Sequence, residues 1–420
     1  MKISKLFLFI IAILVISAAG IFYFVDTHLG NVSFESVKAS SENSVASKTI
    51  PASSSEAVNG KIPPTPEAPV THIATPSVVK AVYISAWTAG SAVPRDRIIS
   101  LIGDTELNAV VIDVKDSTGR ISFDVNDPYL KSLGSEEQRI KDVRALTNML
   151  HQKNIYIIGR ISVFQDSFMT KKKPDWAIKK KSDGTVWKDH KGFSFMDPAN
   201  KEVWKYTVDI AKEAYADGFD EINFDYVRYP SDGNLKDINY HIAKDRTRAD
   251  NMKAFFAGLN AEVKKPENIP MSADLFGLTT TETNDMGIGQ IIENALPYFD
   301  FIAPMVYPSH FATGWNGFKI PADKPYEVVN TTMKSAMARA KAIGLSVNKI
   351  RPWLQDFSIK DNGYYVKYTP DMVRAQMKAT YDAGLPSWML WDPNNKYTKS
   401  ALLQEGAPSD IIRNNEKTQN

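Results

Sequence analysis

Residues 79–400 alternate between short apolar runs with a two-residue period and longer segments whose apolar positions recur every three to four residues. The first period is typical of β-strands and the second of α-helices. Eight strand-helix units of this kind predict a (β/α)8 TIM barrel, with a doubly wound sheet as the alternative. No G-x-G-x-x-G turn follows the first run, which favours the barrel. The predicted strands are residues 81–87, 109–115, 155–162, the stretch 220–230, and residues 270–275, 301–307, 350–356 and 387–392.

Helical patterns occupy the segments between these strands. Several of them end in Asn or Gly just before the next strand, as helix C-termini commonly do. The predicted helices are residues 136–150, 201–216, 246–263, 328–342 and 371–383.

The stretch 220–230 carries the clearest pattern. Its Ile222 and Phe224 point to one face of a strand, while Asn223 and Asp225 point to the other. If the apolar face meets the helices, Asp225 lies at the carboxyl end of the strand, where TIM barrels keep their chemistry. The structural alternative is a carboxylate paired with Arg228 or capping the next helix.

The same alternation places other polar and aromatic side chains on the inner face of the barrel. Charged groups there are costly to bury, which favours a functional mouth over simple packing. The alternatives are an Asp113–Lys115 ion pair and two tryptophans that belong to the core. The inner-face residues are Asp113 with Lys115, Arg160 with Ser162, Ser272 with Asp274, Met305 with Tyr307, Trp353 with Gln355, and Met389 with Trp391.

Paired carboxylates beside aromatic side chains are what glycosidic cleavage requires. One acid protonates the leaving oxygen, and the other carboxylate attacks or activates water, while aromatic faces stack on sugar rings. A polysaccharide or oligosaccharide substrate is therefore predicted, with no cofactor. The six histidines show no metal-ligand spacing, so no metal is expected and a metal-dependent deacetylase is disfavoured. The catalytic candidates are Asp225, Asp274 and Asp113, and the substrate-binding candidates are Trp87, Lys115, Arg160, Asn223, Arg228, Tyr307, Trp353, Gln355 and Trp391.

Four segments also resemble a known family: residues 80–91, 108–121 (NAVVIDVKDSTGRI), 159–166 (GRISVFQD) and 219–230, which includes FDYVRYP. This is a bacterial glycoside hydrolase family whose domain is related to the α-amylase-like barrels. The resemblance implies a (β/α)8 glycosidase with Asp225 at the position of the nucleophile and Asp274 at that of the acid/base.

The chain departs from the α-amylase-like pattern at two of these positions. Those barrels place Arg two residues before the nucleophile, where this chain has Asn223, and their strand-five acid is usually Glu. A retaining or an inverting outcome therefore stays open. Asp113 is the second candidate partner of Asp225, and Asp356 and Asp392 are further candidates.

Composition and charge exclude some classes of protein. The chain has 420 residues, 43% of them hydrophobic, and 50 Lys and Arg against 48 Asp and Glu. A formal charge of +2 gives no electrostatic case for nucleic acid. The absence of cysteine excludes disulfides, thiolate chemistry and Cys-ligated metals.

The amino terminus predicts an exported protein. Lys2 and Lys5 precede an apolar run over residues 6–25, which is long enough for an uncleaved signal anchor with the rest of the chain outside the cell membrane. A cleaved secretory signal is the alternative. The predicted divisions are a transmembrane helix at 1–25, a Ser/Pro-rich linker at 26–78, the barrel at 79–407 and a polar tail at 408–420.

A lysine-rich loop follows the third predicted strand. Residues 169–198 carry two Lys-Lys-Lys runs together with Trp176 and Trp187. Such runs are ordinarily a solvated surface, but above a barrel mouth they could attract an anionic cell-wall or capsular glycan. A non-catalytic glycan-binding barrel at the cell surface is the alternative to an enzyme.

Overall fold

The computed structural model describes residues 70–240, 245–361 and 364–403. Eight parallel strands close into a barrel in sequential order, with the last strand paired to the first at Lys80 and Trp388. The predicted (β/α)8 class is thereby confirmed. The strands are β1 Lys80–Ile84, β2 Ala109–Lys115, β3 Tyr156–Ser162, β4 Glu221–Asp225, β5 Met271–Phe276, β6 Phe301–Met305, β7 Trp353–Gln355 and β8 Trp388–Trp391.

Helices connect and surround the strands. The α-helices are α1 Ala86–Gly90, α2 Ala92–Gly103, α3 Pro128–Leu133, α4 Val143–His151, α5 Ser167–Lys172, α6 Lys201–Ala216, α7 Arg248–Leu259, α8 Lys265–Glu267, α9 Ile292–Ala295, α10 Pro325–Ala342, α11 Pro370–Asp382 and α12 Lys399–Leu402. A π-helical turn, Asn260–Lys264, joins α7 to α8. The 3₁₀ turns are Pro174–Trp176, Leu235–Asp237, Gly277–Thr280, Pro308–His310, Trp315–Gly317, Pro321–Asp323 and Val347–Lys349.

Two small antiparallel ribbons complete the secondary structure. Lys179–Lys180 pairs with Ile238–Asn239, and Ile359–Asp361 pairs with Tyr364–Val366. The predicted signal anchor, most of the predicted linker and the predicted polar tail lie outside the described residues. Within the described part of the chain, no helix combines the length and the hydropathy that a membrane span requires.

Most of the predicted elements begin or end at somewhat different residues in the structure, and helix caps explain two of these differences. The first strand ends at Ile84 because the Ser85 side chain caps α1 by accepting a hydrogen bond from the backbone N–H of Thr88. Trp87 consequently lies on a short helix. The helix predicted at 136–150 begins only at Val143, since Asp142 accepts from the backbone N–H of Ala145 and caps it there.

Two apolar clusters confirm the predicted facing of most inner and outer positions. Side chains such as Val110, Ile112 and Phe224 fill the layer between strands and helices. Ala109, Val111 and the aromatic rings of Tyr83, Tyr156 and Trp353 fill the barrel interior. The alternation along each strand therefore separates the interior from the helix layer.

A β-bulge in β2 moves Lys115 away from the predicted position. The register shifts between Asp113 and Lys115, so that Lys115 pairs with Ile161, an outward residue of β3. Its ammonium lies 2.6 Å from Asp166 Oδ2 and 5.4 Å from the ring centre of Tyr206 on α6. The prediction that Lys115 shares a face with Asp113 was wrong, because it assumed an unbroken two-residue period.

Residues 70–78, which the sequence assigned to the linker, contact the amino-terminal end of the barrel. The backbone N–H of Ile73 donates to Asp220 Oδ1 at 2.7 Å, and Thr75 hydrogen-bonds the Tyr156 hydroxyl at 2.9 Å. The His72 ring stacks on Tyr215 at 4.0 Å. This segment covers the end of the barrel opposite to the carboxyl ends of the strands.

Asp220 connects this segment to the barrel and predicts a measurable effect on stability. Its carboxylate also accepts from the backbone N–H of Ile157 at 2.8 Å and lies 3.0 Å from His151 Nε2. Burial alone would raise the pKa of Asp220, but hydrogen bonds from His151, His72 and the two backbone amides hold that pKa below its usual value. Asp220→Asn should lower the free energy of unfolding by about 1–3 kcal/mol at neutral pH, because buried donors lose a charged acceptor.

Chemical denaturation across pH checks this expectation. A depressed carboxyl pKa contributes stability that is fully present above the unfolded value of about 3.9 and is lost as pH falls through the folded value. The difference between wild type and Asp220→Asn should therefore shrink below about pH 4. Asp104→Asn, at an exposed ion pair with Lys399, is the control and should change stability by less than about 0.5 kcal/mol. Equal effects of the two variants at neutral pH would contradict the assignment.

Candidate active site

Three aspartates and one arginine meet inside the carboxyl end of the barrel. Asp113, Asp225 and Asp274 come from β2, β4 and β5, and each is at most 6% exposed. Arg160 on β3 lies between two of them, with Nη1 2.6 Å from Asp113 Oδ1 and Nη2 2.6 Å from Asp225 Oδ2. The parallel register makes this possible, because it aligns Asp113 with Arg160 and Arg160 with Asn223. Residues far apart in sequence thus share one buried cluster.

Asp225 is held on both carboxylate oxygens. Arg160 donates from Nη2 and, at 3.1 Å, from Nε to Oδ2, while the backbone N–H of Tyr226 donates to Oδ1 at 2.6 Å. Tyr226 adopts φ of 52°, a left-handed conformation that is strained for a bulky residue and tends to occur at functional sites. The ion-pair partner of Asp225 is therefore Arg160, whereas the structural alternative had named Arg228.

Asp274 has a different environment. Its Oδ1 accepts from Asn223 Nδ2 and from Trp353 Nε1, each at 2.8 Å. Burial, and then the nearby charge of Asp225, raise the pKa of Asp274 to about 8, although the two N–H donors and Arg160 oppose the rise. Asp274 is therefore a carboxylic acid at neutral pH beside an ion-paired carboxylate. Two carboxyl groups with such divergent environments are suited to acid and base roles.

Asp113 is engaged on both oxygens, by Arg160 and by the Tyr83 hydroxyl at 2.6 Å. Burial raises the pKa of Asp113, and the charge of Arg160 opposes the rise. These contacts hold Arg160 in place against Asp225. A direct catalytic part for Asp113 stays a prediction.

Aromatic rings form one wall of the site. Tyr83 stacks on Trp391 with ring centres 3.9 Å apart, and Trp353 meets Trp391 edge-on at 5.7 Å. The Arg160 guanidinium lies 5.1 Å from the Trp391 ring centre. Tyr307 is buried nearby, and burial together with the charges of Asp274 and Asp225 raises its pKa. Trp391 is only half-buried, which leaves it the best placed of these rings to meet a ligand.

The remaining substrate-binding candidates are more dispersed. Gln355 accepts from the backbone N–H of Ser309 at 3.1 Å and donates to the Phe357 carbonyl at 2.8 Å, so both ends of its amide are used by the fold. Trp87 is 58% exposed on α1, with Arg139 5.3 Å from its ring centre. Lys115 is used by its pair with Asp166. Their binding to substrate stays a prediction.

Arg228 has an unusual setting for a charged side chain. Its guanidinium lies 4.9 Å from the ring centre of Phe276, 5.2 Å from Tyr226 and 5.6 Å from Phe195. Burial lowers the pKa of Arg228. The aromatic rings thus surround the guanidinium, which also donates to the Tyr229 carbonyl at 3.1 Å, and its contact to substrate stays a prediction.

The carboxyl groups of Asp356 and Asp392 accept hydrogen bonds from the loop that follows β8. Asp356 accepts from the backbone N–H and the hydroxyl of Thr398, at 2.7 and 2.6 Å, and burial raises its pKa to about 7. Asp392 accepts from the backbone N–H of Asn394 at 2.7 Å. Both carboxyl groups thus bind the loop backbone.

Sequence reasoning missed Tyr83, Glu221 and Arg351. Tyr83 and Glu221 do carry the two-residue period that identified the other inner-face residues. Tyr83 lies two residues after Ala81, and Glu221 lies two residues before Asn223 and four before Asp225. Arg351 carries this period too, since it lies in the predicted strand 350–356, two residues before Trp353, although it precedes β7 in the structure. Its position next to Glu221 is visible only once the barrel has closed.

Comparison with known proteins agrees with the barrel fold and with a glycosidase. Residues 81–397 match the family model described as "Putative glycosyl hydrolase domain". The glycoside hydrolase domain of PgaB (BpsB) from Bordetella bronchiseptica is similar, with a TM-score of 0.55, 12% identity, and coverage of 78% of this chain and 100% of that one. At that identity the likeness concerns the fold alone. No match was found among curated proteins.

Two further solved structures have lower TM-scores. A hypothetical protein from Ruminiclostridium thermocellum ATCC 27405 is 30% identical over 49% of this chain and 98% of that one, with a TM-score of 0.42. The spore cortex-lytic enzyme SleL of Bacillus megaterium QM B1551 is 11% identical over 81% of this chain and 74% of that one, with a TM-score of 0.47. The family match covers most of the chain and confirms the predicted glycosidase. The chain therefore belongs to the glycosyl hydrolase family whose model spans residues 81–397.

Proposed function

We propose that the domain hydrolyses glycosidic bonds of a polysaccharide or oligosaccharide, with Asp274 as the general acid and Asp225 as the nucleophile or general base. The observation that carries the proposal is the pair of neighbouring carboxyl groups in different environments. Burial and the charge of Asp225 keep Asp274 protonated at neutral pH, while Asp225 is ion-paired with Arg160. Glycosidic cleavage requires one proton donor and one carboxylate on either side of the scissile bond.

Each group has one task in this reaction. The Asp274 proton passes to the glycosidic oxygen as its bond to the anomeric carbon breaks. Asp225 either bonds to that carbon, giving an intermediate that water then hydrolyses, or takes a proton from the attacking water. Arg160 and the Tyr226 backbone N–H hold the Asp225 carboxylate in a fixed position. Trp391 and Tyr307 are proposed to contact the sugar rings.

The guanidinium expected on β4 is supplied by another strand. The α-amylase-like pattern places Arg two residues before the nucleophile, and Asn223 occupies that position here. Arg160, one strand away, pairs with the Asp225 carboxylate. Asn223 donates to the proposed acid. The departure noted in the sequence is thus compatible with the same division of roles between two carboxyl groups.

The proposed location is extracytoplasmic, and it rests on the predicted signal anchor or secretory signal at residues 1–25. A cell-envelope or extracellular polysaccharide is accordingly the proposed substrate. Digestion by protease added to intact cells, with a cytoplasmic protein as reference, tests this location. Protection of the barrel until the cells are lysed would contradict it.

Asp274→Asn and Asp225→Asn should each lower kcat by about 10²–10⁴-fold, because each removes one half of the acid/base pair. The measurement is product release from a panel of envelope glycans. Asp382→Asn is the control, since that carboxylate is an exposed partner of Lys378 and Tyr326. Asp274→Asn should retain more activity on an aryl glycoside, whose phenolate leaves without protonation.

The alternative, a non-catalytic glycan-binding barrel, gives a different result with the same variants. It predicts no turnover by the wild type on any glycan in the panel. It also predicts a saccharide affinity that Asp225→Asn leaves unchanged. Binding measured by calorimetry beside the turnover assay therefore separates the two functions.

The pH dependence should follow the protonation of Asp274. Its raised pKa keeps the acid protonated up to about pH 8, so kcat/KM should fall as pH rises through about 8. Asp274→Asn should lack this alkaline limb on an aryl glycoside. A wild-type profile that stays flat to pH 10, with the protein still folded, would contradict the assignment of Asp274.

The lysine-rich loop bears on substrate charge. Trp176 and Trp187 are buried, while Lys171, Lys172 and Lys173 are exposed. The tryptophans thus hold the loop, and the three exposed lysines are proposed to attract an anionic glycan. Replacement of these three lysines by Gln should weaken binding of an acidic glycan several-fold at low salt and leave a neutral glycan unaffected. Equal affinities for both glycans, insensitive to salt, would exclude electrostatic attraction.

A further inference from the structure

A chain of hydrogen bonds runs along the inside of the barrel towards Asp274. Arg351 Nη2 donates to Glu221 Oε1, and the Ser272 hydroxyl donates to the same oxygen at 2.6 Å. Asn223 Nδ2 donates to Ser272 Oγ at 3.1 Å and to Asp274 Oδ1 at 2.8 Å. All five side chains are at most 1% exposed. The chain therefore links a buried ion pair near the barrel floor to the proposed catalytic acid.

The ion pair fixes the direction of every hydrogen bond in this chain. The Glu221 carboxylate, paired with the buried Arg351, has no proton to donate and can only accept. The single Ser272 hydroxyl proton must therefore point to Glu221, which leaves the Ser272 oxygen as an acceptor. Only the NH₂ end of the Asn223 amide can satisfy that oxygen.

The orientation of Asn223 in turn determines what Asp274 meets. With NH₂ towards Ser272, the second N–H of the same group reaches Asp274 Oδ1, and the Asn223 carbonyl oxygen is left without a hydrogen-bond partner among the described residues. If the Asn223 amide were flipped, its carbonyl oxygen would face Ser272 Oγ and Asp274 Oδ1 instead. The Ser272 hydroxyl could not donate to it, because its proton is already directed at Glu221. Trp353 Nε1 donates to the same Asp274 oxygen from β7.

We infer that Arg351, Glu221, Ser272 and Asn223 act as positioning residues that, together with Trp353, assign the Asp274 proton to Oδ2. Two N–H groups aimed at Oδ1 occupy both of its lone pairs, so a proton on that oxygen would meet two donor hydrogens. Oδ2 is then the oxygen that can deliver a proton to a glycosidic oxygen. This inference rests on the proposed role of Asp274 and specifies how that role is set up.

Other charged groups face Asp274 and must be held constant in a test. Asp225 on β4 and Arg160 on β3 act on it electrostatically. Tyr307, in the segment after β6, is close enough for the charge of Asp274 to raise the pKa of its hydroxyl. None of the variants below removes any of these groups. A change in the Asp274 titration would therefore report on the donors to Oδ1.

The experiment is a ¹³C NMR titration of aspartate carboxyl carbons in the unliganded protein, with Asp274 assigned by Asp274→Asn. Ser272→Ala frees the Asn223 amide to turn, so that its carbonyl can accept from the protonated acid. Trp353→Phe removes the indole donor. Each variant should raise the pKa of Asp274 by about one pH unit, because the charged form loses a donor. Ser272→Thr, which keeps the hydroxyl, should restore the wild-type titration.

Ser162→Ala is the matched control. Ser162 is also a buried serine on the inner face of the barrel, but its hydroxyl donates to the Gln165 carbonyl at 3.0 Å. Its loss should leave the Asp274 titration unchanged. If the Asp274 carboxyl has the same pKa in Ser272→Ala as in Ser162→Ala, the inference is overturned. In the active enzyme the alkaline limb of kcat/KM should move with the Asp274 pKa in Ser272→Ala.

Neutron diffraction of the wild-type protein gives a second measurement that depends on no variant. A deuteron on Asp274 Oδ2, with two N–D groups directed at Oδ1, supports the inference, and a deuteron on Oδ1 overturns it. The titration and the diffraction need no turnover. A wild type that cleaves no glycan would therefore defeat the proposed function and leave the question of the proton's position to be decided separately.

Discussion

The ion pairs of Arg160 with Asp113 and Asp225 are the constraint on which the site depends. One guanidinium, 5% exposed, bridges carboxylates from two strands on either side of its own. Removal of one partner from a buried pair typically costs about 3–5 kcal/mol, because it leaves an uncompensated charge. The closed sheet thus fixes the position of Asp225, and it does so through the register of β2, β3 and β4.

That arrangement also separates the two proposed catalytic carboxyl groups. Arg160 contacts Asp225 directly, whereas Asp274 accepts from two neutral donors, Asn223 and Trp353. The negative charge of Asp225 then adds to burial in keeping the proton on Asp274. Two identical side chains on neighbouring strands thus have different environments, since Arg160 pairs with Asp225 while burial and the charge of Asp225 raise the pKa of Asp274.

The sequence was sufficient for the fold and for much of the cluster, and the reasons are physical. Strand alternation is a local property, and it correctly placed Asp113, Arg160, Asp225 and Asp274 on the inner face. It failed at Lys115, because one bulge changes the period and nothing in the residues at 113–115 signals it. Strand alternation also contains no information on which side chains form ion pairs between strands. For that reason the sequence pointed to Arg228 as the partner of Asp225 in place of Arg160.

The segment that leads into β1 lies at one end of the barrel, opposite to the candidate active site. Residues 70–78 pack against the amino-terminal ends of the strands, through Asp220 and Tyr156. The described part of the chain therefore enters β1 from the pole of the barrel remote from the aspartates. Because this segment approaches β1 wholly at that pole, it places no backbone across the carboxyl ends of the strands, where Asp113, Asp225 and Asp274 meet.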